Sequence, residues 1–528
     1  MARATTAIEF TDAQAGGRIE RGCIDHMYTL NAIVRERTKQ NKPTFIAFLD
    51  VEKAYDRVWK DSMFDALWRN GLKGKLWRVM YNLNSKLKAS VKTKFGNTRV
   101  FDVTEGIRQG GPLSGLEFGA TMDQGERHLQ NKGVTIQSHD LQIASLLLQD
   151  DIAIIADSPE KLQQALDEIF IFACQYRLIF NTEKCKIIVF NYNGTQRFSW
   201  SLGGTIIEIT TEHKWLGFVL NPNLSLTHHS NNKEHQIQGI LQSCLATIND
   251  DILNRMKMKT LLKLHQQSLV PSIIYGLQAW NITENEMCAL EAIQYTILRK
   301  ILKSPKSTPK LSLLADTGLL KLEYKIHCAK LGYYKALLSK QTHVAAKILA
   351  KQAQMTNVDS DTFYYEIETL LSKYNLPRDP DTIRLMSKNR WKNLTKKAVL
   401  QHANQNYLAE RAGKYKQRLV NPYKNQIKLE SYITDLKRTQ AIAIFKLRYG
   451  MTYLKANFSS NFSNQNCLKC DLGQVDDENH ILVCPARATE RKIFNIGNFN
   501  PAFKLDTNLF GLSVIAEFLI CSELVSIF

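Results

Sequence analysis

No uncharged apolar run in this sequence reaches the roughly 18 residues that a membrane-spanning helix requires. The opening MARATTAIEFTDAQAG lacks the apolar core of a signal peptide, and the apolar tail SVIAEFLICSELVSIF is interrupted by Glu517 and Glu523. A disulfide framework is missing too. Of ten cysteines only Cys467, Cys470 and Cys484 cluster; the others stand alone in apolar or helical stretches, the usage of a reducing compartment. These absences argue against a secreted or membrane-spanning protein and predict a soluble intracellular one. Acid is also in short supply. Asp and Glu number 50 against 69 Lys and Arg, leaving +19, which calls for a polyanionic partner, nucleic acid first and an anionic membrane surface second. The 528 residues suffice for a large core and about three or four domains.

What is present centres on LQIASLLLQDDIAIIAD, residues 141 to 157. Apolar runs Ala144–Leu148 and Ile152–Ala156 flank a bare acidic pair, Asp150-Asp151, and runs of this kind read as buried strands joined by a hairpin turn. By itself an acidic pair in a turn is ordinary solvated chemistry. Upstream, FIAFLDVEKAYDRV places Asp50 where the strand Thr44–Leu49 exits. Two strand ends that each present a carboxylate suit a pair of divalent cations and in-line phosphoryl transfer. The segment from Glu52 to Leu72 reads as a helix ended by Gly71, with Tyr55 either packed in the core or lining the same cleft. Two alternating segments in KASVKTKFGNTRVFDVTEG are joined by a Gly96-Asn97 turn. In GIRQGGPLSGLEF, Arg108 and Gln109 offer donors while Gly110 and Gly111 permit close backbone approach.

Four blocks, GGRIERGCIDHMYTL, FLDVEKAYDRVW, GIRQGGPLS and LLQDDIAII with the following NTEKCKIIVF and KWLGFVL, resemble in order and spacing the reverse transcriptase of non-LTR (LINE-type) retrotransposons. The resemblance is close over about residues 10 to 345. It implies RNA-directed DNA synthesis with two Mg²⁺ ions on Asp50 and Asp150, Asp151 as their acidic companion, and Lys184 near the triphosphate as a proton donor. It implies Tyr55 as the steric gate against a ribose 2′-hydroxyl, Gln109 and its glycines lining template and nucleotide, and KWLGFVL as a primer grip. Arg18 and Arg21, before the first helix, are candidate phosphate contacts, and Arg108 is a further donor. The partners implied are an RNA template, a DNA primer, target DNA and deoxynucleoside triphosphates, in the nucleus and cytoplasm of a eukaryotic cell. The sequence departs from the family at Leu148 and Gln149, where an aromatic and a small residue usually precede the acidic pair. It also begins almost at the first block, so most of the fingers would be missing and the chain alone would be inactive. A catalytically dead nucleic-acid-binding remnant is the alternative reading.

Beyond Pro222 the pattern turns helical. Lys257, Lys259, Arg299 and Lys300 would face duplex phosphate, and Pro271 would bend the second helix. Residues 384 to 428 carry twelve Lys and Arg against the single acid Glu410, with Trp391, Tyr407, Tyr415 and Tyr423 available to stack on bases. Cys467, Cys470, His480 and Cys484 follow C-x2-C-x9-H-x3-C, the donor set of a structural zinc site. The expected fold is α/β plus all-α, a right-hand polymerase. Its parts would be partial fingers and a βαββαβ-like palm over 1–222, a helical thumb over 223–345, a basic helical region over 346–460, a zinc unit over 461–490 and a tail over 491–528.

Overall fold

The computed structural model describes residues 8–195, 197–246, 257–340, 343–355, 361–412, 414, 420, 424–458, 464–494 and 509–525. Its N-terminal half is built around one mixed sheet. In chain order the elements are α1 (Cys23–Lys39), β1 (Thr44–Asp50), α2 (Lys60–Arg69), α3 (Gly74–Ser85) and α4 (Ser114–Asn131), followed by the hairpin β2 (Ser145–Leu148) and β3 (Asp151–Ala156). Then come α5 (Pro159–Tyr176), β4 (Lys186–Phe190), β5 (Trp200–Leu202) and β6 (Thr205–Ile209). The strands lie in the order β5-β6-β4-β1-β3-β2, antiparallel throughout except for the parallel β4–β6 pair.

Strand β1 is apolar along its length because both faces are covered. Phe45, Ala47 and Leu49 pack with Ile152, Ile154, Leu166 and Ile169 in one core. Ile46 and Phe48 point the other way, into a second core with Met27, Leu30, Trp215 and Phe218. Each such side chain contributes about 1.5–3 kcal/mol by leaving water. The register is therefore fixed, since a slip of one residue would exchange the contents of the two cores. α5 begins as its sequence dictates: Ser158 caps it by accepting from the Lys161 amide, and Pro159 occupies the first turn.

The second core continues through helices Glu284–Leu302, Leu322–Leu338, Lys388–Arg411, Arg438–Arg448 and Leu509–Cys521. The boundary expected at 345/346 falls inside helix Val344–Gln354, whose Ala345, Ile348 and Leu349 join this core. A buried polar knot ties the C-terminal helices to it. Asp316 accepts from Arg448 Nε at 2.8 Å, Tyr432 OH at 2.7 Å and Tyr449 OH at 2.9 Å, with Lys424 Nζ at 3.2 Å.

Several local expectations are corrected. Residues 51–57 are a series of turns, and the helix starts only at Lys60. Lys53 takes a left-handed φ of 49°, and the Tyr55 and Val58 carbonyls accept the amides of Ile107 and Gly106, so the backbone here is spent on a tertiary contact. Gly96 and Asn97 lie in a strand, not a turn: Thr93 pairs with Gly96 and the turn is Lys94-Phe95. KWLGFVL is a hairpin, His213–Trp215 against Phe218–Leu220. Its two turn residues, Leu216 and Gly217, both have positive φ, the requirement of a two-residue turn. Around Pro271 the helix Met258–Leu264 widens into a π-helical turn, His265–Leu269, before Val270–Ile274, because proline lacks the amide the α-helical ladder needs.

Candidate active site

Pairing of β1 with β3 sets Asp50 opposite Asp151. Gln149 and Asp150 form the β2–β3 turn, with Gln149 at a φ of 59°. Asp151 is pushed up to about 6, first by partial burial and then by the charges of Asp150 and Asp50, which disfavour its ionised form. Lys184 comes from the turn before β4 and places Nζ 3.5 Å from Asp50 Oδ2. That turn is anchored because the Asn181 amide donates to the Asp50 carbonyl at 2.9 Å.

Tyr55 lies beside this group. Its ring stacks on Phe118 with centroids 5.1 Å apart, and its hydroxyl donates to Gln149 Oε1 at 3.1 Å. Burial and the nearby Asp150 charge both push the phenol above its ordinary range. Gln149 Nε2 in turn donates to the Gly115 carbonyl at 3.0 Å. Gln149 is thus a bridge from the tyrosine to the start of α4, a role that its departure from the family pattern did not reveal. Its side chain needs Gly16, where an added Cβ would sit 2.5 Å from Gln149 Nε2.

The remaining predicted residues fall in two groups. Arg108, Gln109 and Gly110 are exposed and Gly111 is half-buried; Gln109 Nε2 donates to Asp56 Oδ1 at 2.8 Å, and Ser114 Oγ donates to the Arg108 carbonyl, closing the turn before α4. Arg18 is half-buried and gives Nη1 to the Thr11 and Gln14 carbonyls at 2.6 and 3.0 Å. Arg21, its side chain only 5% exposed, is paired with Asp12 at 3.3 Å. One residue that no sequence motif singled out is His26, whose Nε2 donates to the Leu147 carbonyl at 2.8 Å and so braces β2 from α1. Burial lowers its pKa to about 4, outweighing the bond to Leu147 and the charge of Asp25, which favour the protonated ring.

In the C-terminal half, Cys467, Cys470, His480 and Cys484 are the one set of three or more metal-ligand side chains, among the described residues, whose ligand atoms all lie within 4.8 Å of one another. His480 Nδ1 contacts Gln474 Oε1 at 2.8 Å, which turns Nε2 toward the thiols, with Cys470 Sγ at 3.3 Å. Asp477 caps the short helix Glu478–Val483 that carries the histidine. Two expectations for residues 384–428 fail. Trp391 and Tyr407 are buried on the inner stripe of helix Lys388–Arg411 with Thr395, Val399 and Ala403, so neither ring is free to stack on a base. Lys424 is buried and paired with Asp316 and Glu430. Tyr415 and Tyr423 lie outside the described residues. No helix among the described residues is long and apolar enough to cross a membrane.

Residues 3–220 match the family Reverse transcriptase (RNA-dependent DNA polymerase). Over that stretch the chain is similar to reverse transcriptases, and the curated proteins it resembles come from mobile and retrotransposable elements. The RNA-directed DNA polymerase from mobile element jockey of Drosophila funebris is 22% identical over 360 residues, 66% of this chain and 38% of that protein. The Retrovirus-related Pol polyprotein from type-1 retrotransposable element R2 of Nasonia vitripennis is 32% identical over 180 residues, 33% of this chain and 17% of that protein. The chain therefore spans well under half the length of these relatives. Among solved structures, telomerase from Candida albicans aligns at 12% identity over 68% of this chain and 55% of that chain, with a TM-score of 0.34, too distant to build on.

Proposed function

We propose that the chain carries the catalytic site of an RNA-directed DNA polymerase of a non-LTR retrotransposon, a site for extending a DNA primer on an RNA template, with target DNA supplying the primer. The observation that carries this reading is the register pairing of Asp50 with Asp151 beside the Asp150 turn, inside the residues that match the reverse transcriptase family. The primer 3′-oxygen attacks the α-phosphorus of a deoxynucleoside triphosphate, and the bond to pyrophosphate breaks. Hard carboxylate oxygens at adjoining strand ends are the donor chemistry for Mg²⁺, and Asp50 and Asp150 would hold it. When bound, Mg²⁺ lowers the pKa of the attacking hydroxyl and stabilises charge on the triphosphate.

The chain's own groups supply the rest. Lys184, 3.5 Å from Asp50, would give a proton to the departing pyrophosphate. Tyr55, held against Phe118 and tethered by Gln149, fills the space that a ribose 2′-hydroxyl would need. Gln109, Gly110 and Gly111 form a turn low in side-chain bulk, suited to template and incoming nucleotide, with Arg108 and Arg18 as phosphate donors. The sheet unit would act as palm with partial fingers, the helices over 223–345 as thumb, and the Cys467–Cys484 cluster as a structural Zn²⁺ site. On helix Lys388–Arg411, Lys388, Arg390, Lys392, Lys396 and Lys397 are exposed outside the buried stripe and would contact phosphate without reading sequence.

The test is primer extension by the purified chain with Mg²⁺. Asp50→Asn or Asp150→Asn should lower the rate by about two orders of magnitude or more while leaving nucleic-acid binding intact. Wild-type rates in either variant would remove the assignment. Binding without extension by the wild-type chain would favour the remnant reading.

A further inference from the structure

Between Asp65 and Asp102 the sequence holds nine lysines and arginines and no acid. Arg69 ends α2 and is paired with Asp65 at 2.7 Å; the other eight lie on or beside α3 and in the segment that follows it. α3 packs against α2 and buries only Met80 and Asn84. The chain then forms a two-stranded hairpin in two short sections, Lys88–Ala89 with Phe101–Asp102 and Lys92–Thr93 with Gly96–Asn97. Buried Lys60 ties the two parts together, its ammonium donating to the carbonyls of Asn84 at 2.9 Å and of Val103. Lys73, Lys75 and Arg78 on the helix side, and Lys86, Lys92 and Lys94 on the hairpin side, are all exposed. Lys88 is paired only loosely, 3.8 Å from an exposed Asp102.

Aromatic rings are set among these charges. Trp77 stacks on Tyr81 at 5.3 Å, meets Trp68 edge-on at 5.8 Å, and is locked by its indole N–H donating to the Phe64 carbonyl at 3.0 Å. The outer members of this rigid group remain in solvent, Trp68 at 47% exposure, and at the hairpin tip Phe95 is 88% exposed. Lys73 lies over the Trp68 ring and Lys94 over that of Phe95. A surface that served only to keep the protein in solution would mix charges of both signs and would not leave tryptophan and phenylalanine bare. Cations that track a backbone, with rings between them to stack on bases, are the chemistry of single-strand recognition.

We propose that α3 and the hairpin at residues 86–103 form a binding platform for single-stranded nucleic acid, distinct from the acidic turn. This rests on the polymerase reading, and names a surface through which an unpaired template or displaced strand is held. The surface takes RNA and DNA alike, because stacking and phosphate contact read neither base nor sugar.

The test measures binding of labelled single-stranded RNA and DNA to the full chain across a salt series. The fourfold variant Lys86→Ala/Lys88→Ala/Lys92→Ala/Lys94→Ala should weaken binding and flatten the log–log salt slope by about 0.7 for each phosphate that is no longer neutralised. Phe95→Ala should weaken binding by about tenfold while leaving the slope unchanged. Both variants should melt like wild type, since all five side chains are exposed. Should the fourfold variant nevertheless misfold, Phe95→Ala alone decides. Weaker binding of both RNA and DNA is expected, and an effect confined to one of them would overturn the reading of the surface as indifferent to the sugar. If wild type binds and the variants bind equally well, the platform is refuted and the polymerase reading stands; the face would then be one for protein contact. If wild type binds neither strand, both readings fall.

Discussion

Asn in place of Asp316 should destabilise the fold more than loss of any surface ion pair. The carboxylate has no solvent exposure and is the shared acceptor of Arg448, Tyr432 and Tyr449, with Lys424 beside it. Desolvation alone would raise its pKa; Arg448, Lys424 and the tyrosine hydroxyls outweigh it and hold the group below the ordinary carboxylate value. Asparagine keeps the volume and removes the charge. Lys424 retains Glu430, whereas Arg448 is left a buried cation without a carboxylate. Breaking a buried pair from one side costs about 3–5 kcal/mol, against about 0–1 kcal/mol for an exposed pair. The assay is urea unfolding, with Asp316→Asn, Lys424→Met and the double variant compared in a cycle. The double variant should be less damaged than the sum of the singles by about 0.5–3 kcal/mol. Because the folded carboxyl has a lowered pKa, its contribution is present above the unfolded value and is lost as pH falls through the folded one. An Asp316→Asn protein within about 0.5 kcal/mol of wild type, the range of neutral surface changes, would refute this account.

Three further outcomes follow from other sites. Tyr55→Ala should raise ribonucleotide incorporation by about tenfold or more, equivalent to about 1.4 kcal/mol of lost discrimination. Tyr55→Phe, which removes only the bond to Gln149, should stay close to wild type; equal incorporation by all three proteins would make Tyr55 a packing residue. Cys484→Ser, or a strong zinc chelator, should expose residues 464–494 to protease while leaving the sheet resistant, because metal binding and local folding are coupled; unchanged cleavage would argue against a metal. His26 titrates at about 4 in the fold against about 6.5 when free, so stability should fall by about 3 kcal/mol as pH drops from 6.5 through 4. His26→Gln, which can still donate to the Leu147 carbonyl, should remove that share of the slope, and an unaltered slope would place the acid sensitivity elsewhere.

The amino-acid sequence by itself determined the central strands of the sheet unit and the start of the helix that follows its hairpin. Uninterrupted apolar runs such as TFIAFL leave a two-sided buried strand as the simplest outcome, and Ser158-Pro159 marks a helix start without reference to anything distant. The candidate site was legible for the same reason. Asp50, Asp150 and Asp151 stand at strand ends, where local pattern and chain direction suffice, and the cysteine–histidine spacing declares its own geometry. Tertiary structure decided what local pattern cannot encode. Tyr55 sits in a turn because the backbone of residues 106–107 claims its carbonyl. Trp391 and Tyr407 read as accessible rings in a basic stretch, but one stripe of that helix had to face the core. Gln149 departs from the family pattern, yet its side chain spans from Tyr55 to Gly115, and Lys424, one of twelve cations in a basic stretch, is buried beside Asp316. Each depends on a partner between about thirty and just over a hundred residues away in the chain, and only folding brings such partners within bonding distance.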